Sequence, residues 1–451
     1  MKKINFPHPL VLLISFIILA AVLSHFIKAG QYDRKIDENT GREIVISGSY
    51  HQVDLTPVGF FDSAVAIPRG MIEAADIIFL VFLIGGAFTV IDETQALKKG
   101  VTWMTTSFAG KENLIIIIIS IFFAIGGALN NLQEEIIALV PVLLILTNSL
   151  GFKPMVAISM SAGAAFVGSS FSPINPFQVG IAQKLAELPL LSGAGFRMAF
   201  MFLAISLWIF WTIRYAQKTK SEVIKSKNVN DSNEAVTSDW RTTVILVLVL
   251  IAFALIVIGI LNWGWDFNEM SACFFVMGVT AGIVGKLGIN GTASSYVRGF
   301  KEMTFAALLI GFARSIFVVL EDGSIIDTIV YGLFTPIANL PAQLSAIGMM
   351  VAHAVLHVPV PSQSGQAVLT MPLLVPLSDL IGLARQVTVL AYQYGSGLTD
   401  LVTPTNGALM AILAAGGIRY DDWFRYIFKK YLILLGLGAI ALIIAIATGF
   451  N

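Results

Sequence analysis

Two carboxylates stand side by side in "LNNLQEE" (129–135) of this 451-residue chain. Glu134 and Glu135 follow Asn130, Asn131 and Gln133, so a pair of acids adjoins three amides. Such a cluster suits the amine or guanidinium of a solute, or a carried proton. A second polar stretch, "PSQSGQ" (361–366), supplies Ser362, Gln363, Ser364 and Gln366. Asp400, in "SGLTDLV", is a third acid, placed to bind Na⁺, take a proton or cap backbone N–H groups. Arg314, in "IGFARSIF", is a cation in an apolar run. It reads either as a salt-bridge partner, with Glu134 or Glu135 as the acid, or as a clamp for a substrate carboxylate. His353 and His357 form "HAVLH", an i,i+4 pair on one helix face that could hold zinc in an intramembrane metalloenzyme. The zinc-protease pattern requires Glu directly after the first His, and Ala354 stands there. With no third ligand in sight, helix packing is the favoured reading of the pair, and no metal is expected.

These groups sit in an unusual medium. The chain is 56% hydrophobic and 12% charged, with mean hydropathy +0.82. A water-soluble domain carries about twice that charge fraction. Runs such as 9–27 and 243–261 meet the length of about 20 residues that spans a bilayer. The chain therefore reads as a polytopic membrane protein. Formal net charge is zero and Cys273 is the sole cysteine, so nucleic-acid partners, disulfides and cysteine–metal clusters are not expected.

Helix breakers then lie where helices should be continuous. "FSPINPF" (171–177) places Ser172, Pro173 and Asn175 inside an apolar segment, and "TDLVTPTNG" (399–407) places Thr403, Thr405 and Asn406 in another. Proline removes a helical N–H and clashes with the preceding turn. The freed backbone groups would cost several kcal/mol each in lipid, so the breaks should face a polar cavity or a bound solute.

The two breaks belong to a repeat. A shift of 231 residues sets Pro141 on Pro372, Gly151 on Gly382, Pro173 on Pro404 and Asn175 on Asn406. The expected domains are an N-terminal repeat (1–213), a polar cytoplasmic linker (214–241) and a C-terminal repeat (242–451). Basic residues put the N-terminus, 92–112 and the linker on the cytoplasmic side. Those assignments close only if 113–150 and 341–382 are re-entrant hairpins. Each is followed by a broken helix, 155–188 and 386–417. The fold class is then all-α, with about nine crossings, two hairpins and two repeats of inverted topology, a transporter signature. Short amphipathic helices are expected near 95–110 and 325–339.

A polar tip, an apolar arm with proline and a broken "TPxN"-like helix, occurring twice, resembles the ion transporter superfamily. Within it, "LQEEIIALVPVLL" with "SPINPF", and "SQSGQAVLTMPLLVPLSDLIG" with "AYQYGSGLTDLVTPTNGALM", resemble the anaerobic C4-dicarboxylate carrier family. They are closest to a branch that includes arginine/ornithine exchangers. The resemblance implies a scaffold domain, a moving transport domain and an elevator-type cycle, often in dimers. One departure concerns the tips. Dicarboxylate carriers of the superfamily place Ser-Asn-Thr at both, whereas this chain has Asn131-Leu132-Gln133 and Ser362-Gln363-Ser364.

The reading is a secondary active transporter of a small carboxylate-bearing metabolite, best a basic amino acid. Helix N-termini would hold its carboxylate, and Glu134 and Glu135 its positive end. Na⁺ or H⁺ is the expected coupling ion, unless exchange alone drives the cycle; no other cofactor is expected. The expected location is the inner membrane of a prokaryote. A C4-dicarboxylate carrier is the nearest alternative, and an ion channel a further one.

Overall fold

A computed structural model describes residues 8–36, 43–96, 99–100, 111–220, 240–259, 263, 265 and 267–450. Of Asn130 only the backbone is described, and the amphipathic helix expected near 95–110 falls largely outside the described residues, as does 221–239 of the linker.

The apolar runs form helices. The first group comprises α1 (Pro9–Leu23), α2 (Phe60–Glu73) and α3 (Ala75–Glu93). Next come α4 (Glu112–Asn130), α5 (Glu134–Ser149) and α6 (Pro154–Ser170), the last with a π turn at Ser159–Gly163. A π turn, Pro176–Gly180, leads into α7 (Ile181–Leu185), and α8 is Ala194–Thr219. Beyond the linker stand α9 (Trp240–Ile258), α10 (Phe267–Val284) and α11 (Gly288–Asp322), then α12 (Ile326–Phe334) with a 3₁₀ turn to Asn339. The chain ends with α13 (Ala342–Leu356), α14 (Gln363–Leu380), α15 (Arg385–Thr399), α16 (Gly407–Ala415) and α17 (Tyr420–Ala447). Among the described residues, six helices are long and apolar enough to cross a membrane.

The all-helical expectation needs one correction. The segment before α2 pairs four short antiparallel strands in two ribbons: β1 (Gly30–Gln31) with β4 (His51–Gln52), and β2 (Arg34–Ile36) with β3 (Glu43–Val45). This polar stretch lacks an apolar helical stripe, and pairing satisfies its backbone. The ribbon is tied to α12, where Asp327 accepts from Tyr32 N at 2.9 Å and from Arg34 Nη2 at 2.9 Å.

Close helix crossings position the remainder. A Cβ on Gly299 of α11 would lie 2.5 Å from Gly85 O of α3, so these two helices touch backbone to backbone. One on Gly127 of α4 would lie 2.1 Å from Ala165 O of α6, and one on Gly395 of α15 would lie 2.2 Å from Met350 O of α13. Small residues permit such approaches in helices without a hydrophobic drive between them. α4 is thereby seated on α6, and α13 on α15, the helices that lead to the two breaks.

Candidate functional site

Four chain reversals or breaks meet at one place. At the first tip, the α4–α5 turn, α4 is capped by Asn131, whose left-handed φ of 56° turns the chain; asparagine tolerates that conformation better than most residues. Gln133 precedes α5, and its backbone N donates to Glu135 Oε2 at 3.2 Å. Glu134 and Glu135 occupy the first turn of α5, where unpaired N–H groups favour negative charge. At the second tip, Ser362 Oγ caps α14 by accepting from Gly365 N at 3.1 Å.

The breaks are built from local side-chain bonds. After α6, Ser172 Oγ accepts from Ile174 N and Asn175 N (3.0 and 2.9 Å) and donates to Ala128 O at 2.7 Å. Asn175 then caps the next turn, its Oδ1 accepting from Phe177 N and Gln178 N. In the second break α15 stops at Asp400, and Asn406 Oδ1 caps α16 by accepting from Leu409 N at 2.9 Å.

Between these ends lies a cavity of about 390 Å³. The first tip lines it with Asn131, Gln133, Glu134 and Glu135, and the second with Pro361, Ser362, Gln363 and Ser364. Phe177 comes from the first break, Asp400 from the second, Phe267 and Met270 from the start of α10, and Trp265 from just before it. The lining holds three carboxylates and three aromatic rings. Among the described residues it holds no Lys or Arg.

Asp400 is the hub of the polar contacts. It accepts from Gln133 Nε2 (3.1 Å), Gln363 Nε2 (2.6 Å) and Asn406 Nδ2 (2.6 Å), and lies 2.7 Å from His357 Nε2. Asn406 also donates to Gln133 Oε1 at 3.2 Å, and Tyr392 OH donates to Gln363 O at 2.7 Å. The turns before α5 and α14 are therefore both bonded, through Gln133 and Gln363, to one carboxylate in the second break.

The remaining sequence candidates sort by distance from the cavity. Gln366 stands behind the tip, bonded to Val360 O and touching His357. Thr405 Oγ1 donates to Val358 O; Thr403 is buried. Ser172, Pro173 and Asn175 hold the first break against α4 and do not line the cavity. Arg314 takes the salt-bridge role, with Glu73 as the acid at 2.9 Å; it lies over the Phe317 ring, outside the cavity lining. The histidine pair also divides: His353 packs between Phe334 and Tyr392, whereas His357 belongs to the Asp400 network. Sequence reading missed His357 as a site residue, and missed Phe177, Trp265, Phe267 and Met270. The aromatic residues beside a polar break were the available signal for Phe177.

The sequence profile of the family described as C4-dicarboxylate anaerobic carrier matches residues 6–447. The chain belongs to this family. As a C4-dicarboxylate anaerobic carrier family member it is a multi-pass membrane transporter. An uncharacterized protein of Haemophilus influenzae is 28% identical to it, over 99% of this chain and 98% of that one. A protein of Escherichia coli named "Putative basic amino acid antiporter YfcC" is 32% identical over 78% of this chain and 74% of its own. Among solved structures, the YdaH transporter of Alcanivorax borkumensis aligns at 14% identity and a TM-score of 0.44, covering 98% of this chain and 99% of that one.

Proposed function

We propose that this carrier moves a basic amino acid, by exchange or by coupling to H⁺ or Na⁺. The observation that carries the reading is the charge of the cavity. Glu134, Glu135 and Asp400 line it without Lys or Arg among the described residues. Three carboxylates repel a dianion and attract an ammonium or guanidinium. Phe177, Trp265 and Phe267 add ring faces that attract the same cations. The N-termini of α5 and α14 offer N–H groups for the cargo's carboxylate. The name of the Escherichia coli relative agrees with this choice.

The transport cycle follows from the proposed topology. α1, α3, α6–α7, α8, α9, α10, α11, α15–α16 and α17 make nine crossings in two inverted repeats. α4–α5 and α13–α14 are the re-entrant hairpins. Hairpins and broken helices move as an elevator against a scaffold that supplies Trp265, Phe267 and Met270. The carrier sits in a prokaryotic inner membrane with its N-terminus and linker cytoplasmic, and works as a dimer.

The family itself supports a second cargo, a C4-dicarboxylate. Counterflow in liposomes separates the two. L-Arginine or L-ornithine inside the vesicles should drive uptake of labelled L-arginine, and succinate should not. Succinate counterflow without arginine counterflow overturns the reading.

A further inference from the structure

We propose, building on the transport reading above, that His357 is a proton sensor whose charge sets the conformation of the second hairpin tip through the amide of Gln366. Gln366 Nε2 donates to Val360 O at 3.1 Å and lies 3.2 Å from His357 Nδ1. An amide nitrogen offers only N–H donors. His357 Nδ1 is therefore the acceptor in this contact, and the ring proton sits on Nε2, pointing at Asp400 Oδ1 2.7 Å away. The tautomer is assigned by both neighbours at once.

A second proton can enter only at Nδ1. It would set an N–H of the ring against an N–H of Gln366. A half-turn of the Gln366 amide removes the conflict by presenting Oε1, which is buried and has no hydrogen-bond partner among the described residues. The same half-turn breaks the bond to Val360 O. Among the described residues Val360 O otherwise accepts only from Ser362 N, at 2.8 Å, and the next residues, Pro361 to Ser364, line the cavity. Proton uptake thus loosens the turn that shapes one wall of the cavity.

The same event works against a cationic cargo, because an imidazolium behind Asp400 offsets one of the three lining carboxylates. Proton and cationic cargo are then antagonists, and by linkage each weakens the other equally. The charged groups around the ring are few. Asp400 is in contact, Glu134 and Glu135 line the cavity on the far side of Asp400, and His353 stands one turn back on α13. On neighbouring helices, Asp327 pairs with Arg34, Asp421 with Arg419, Arg385 with Asp379, and Lys430 with Tyr426 O.

The test uses the full chain in nanodiscs without added amino acid. The sequence has five histidines, so ring ¹⁵N spectra are tractable, and His357→Gln assigns one signal by its loss. As the pH is lowered, the ring ¹⁵N signals of His357 should pass from the pattern of the Nε2–H tautomer to that of imidazolium. Protection factors of the amides in 358–366, that is, exchange corrected for its intrinsic base-catalysed rate, should fall in step. Gln366→Met should leave those protection factors constant while His357 still charges, and His357→Gln should leave them constant too. An Nδ1–H tautomer, a ring that never charges while the protein stays folded, or wild-type protection factors indifferent to pH overturns the proposal. So do pH-dependent protection factors that survive in both variants. Adding L-arginine should shift the charging midpoint to lower pH. An intact switch that arginine does not shift counts against the cargo reading alone.

Discussion

Asn175 and Asn406 stand 231 residues apart and perform the same backbone task. Each follows a break at a proline, Pro173 or Pro404, and each turns its side-chain oxygen onto the free N–H groups of the helical turn that resumes. Their amide nitrogens differ. Asn175 Nδ2 donates to Gly127 O and Ser169 Oγ, inside the protein. Asn406 Nδ2 donates to Asp400 and Gln133, at the cavity. One cap is a fastener and the other is part of the site.

That division predicts unequal outcomes. Asn175→Ala removes a cap and strands buried groups, a loss of about 1–3 kcal/mol. Thermal unfolding in detergent should show it, with L-arginine affinity little changed in the protein that remains folded. Asn406→Ala should lower affinity as well, because Asp400 and Gln133 lose a shared donor. Equal effects on affinity would contradict the assignment.

The helix ends around the cavity are legible in the sequence because their causes are local. Proline stops α6 near Ser170 whatever surrounds it, and asparagine restarts the chain as a cap. The same holds for Gly151 and Gly382, which take positive φ after α5 and α14. The contact of His357 with Asp400 is different. The residues lie 43 positions apart, and nothing in "HAVLH" says which of two histidines a helix crossing will turn toward an acid. The crossing itself depends on Gly395 meeting the α13 backbone. Arg314 shows the converse: a cation in an apolar run invites a buried partner, yet α11 begins at Gly288 and carries Arg314 to Glu73. Strands β1–β4 were illegible because each holds only two or three residues.

The two adjacent acids should differ in use. Both line the cavity, but Glu135 is tied to the neighbouring residue, accepting from Gln133 N, a bond that glutamine can still make, whereas the bond of Glu134 is to its own backbone N–H. Glu134→Gln should weaken L-arginine binding by about tenfold to about 150-fold, the equivalent of one charged hydrogen bond of about 1.5–3 kcal/mol. Glu135→Gln should weaken it less. Calorimetric titration of the purified variants decides; a larger loss at Glu135 would reverse the roles.

Trp265 is predicted to select for positive charge rather than size. A ring face beside a cation contributes about 0.5–2 kcal/mol. Trp265→Ala should therefore raise the dissociation constant for L-arginine by about twofold to about 30-fold, and Trp265→Phe by less. L-Citrulline, an uncharged analogue of similar shape, supplies the control. Its weaker binding should not respond to the substitution, and an equal response would assign Trp265 to packing.

Arg197 carries a different kind of prediction, about stability. It is fully buried on α8 and makes no ion pair among the described residues. Neutral acceptors hold it instead: Gln393 Oε1 at 3.1 Å, Ser192 O at 2.9 Å and Gln386 Oε1 at 3.0 Å. Gln393 in turn donates to Ser172 O at 2.7 Å, which links the guanidinium to the first break. A planar fork reaches three acceptors in different directions; an ammonium is a compact charge and cannot span them. Arg197→Lys keeps the cost of burying a charge and forfeits part of its hydrogen bonding. Arg197→Met forfeits the bonding but removes the charge. Since desolvating an ion costs several kcal/mol, the lysine variant should be the less stable of the two. Melting temperatures of both in the same detergent test the order. A methionine variant that melts lower would mean that the three stranded acceptors outweigh the buried charge.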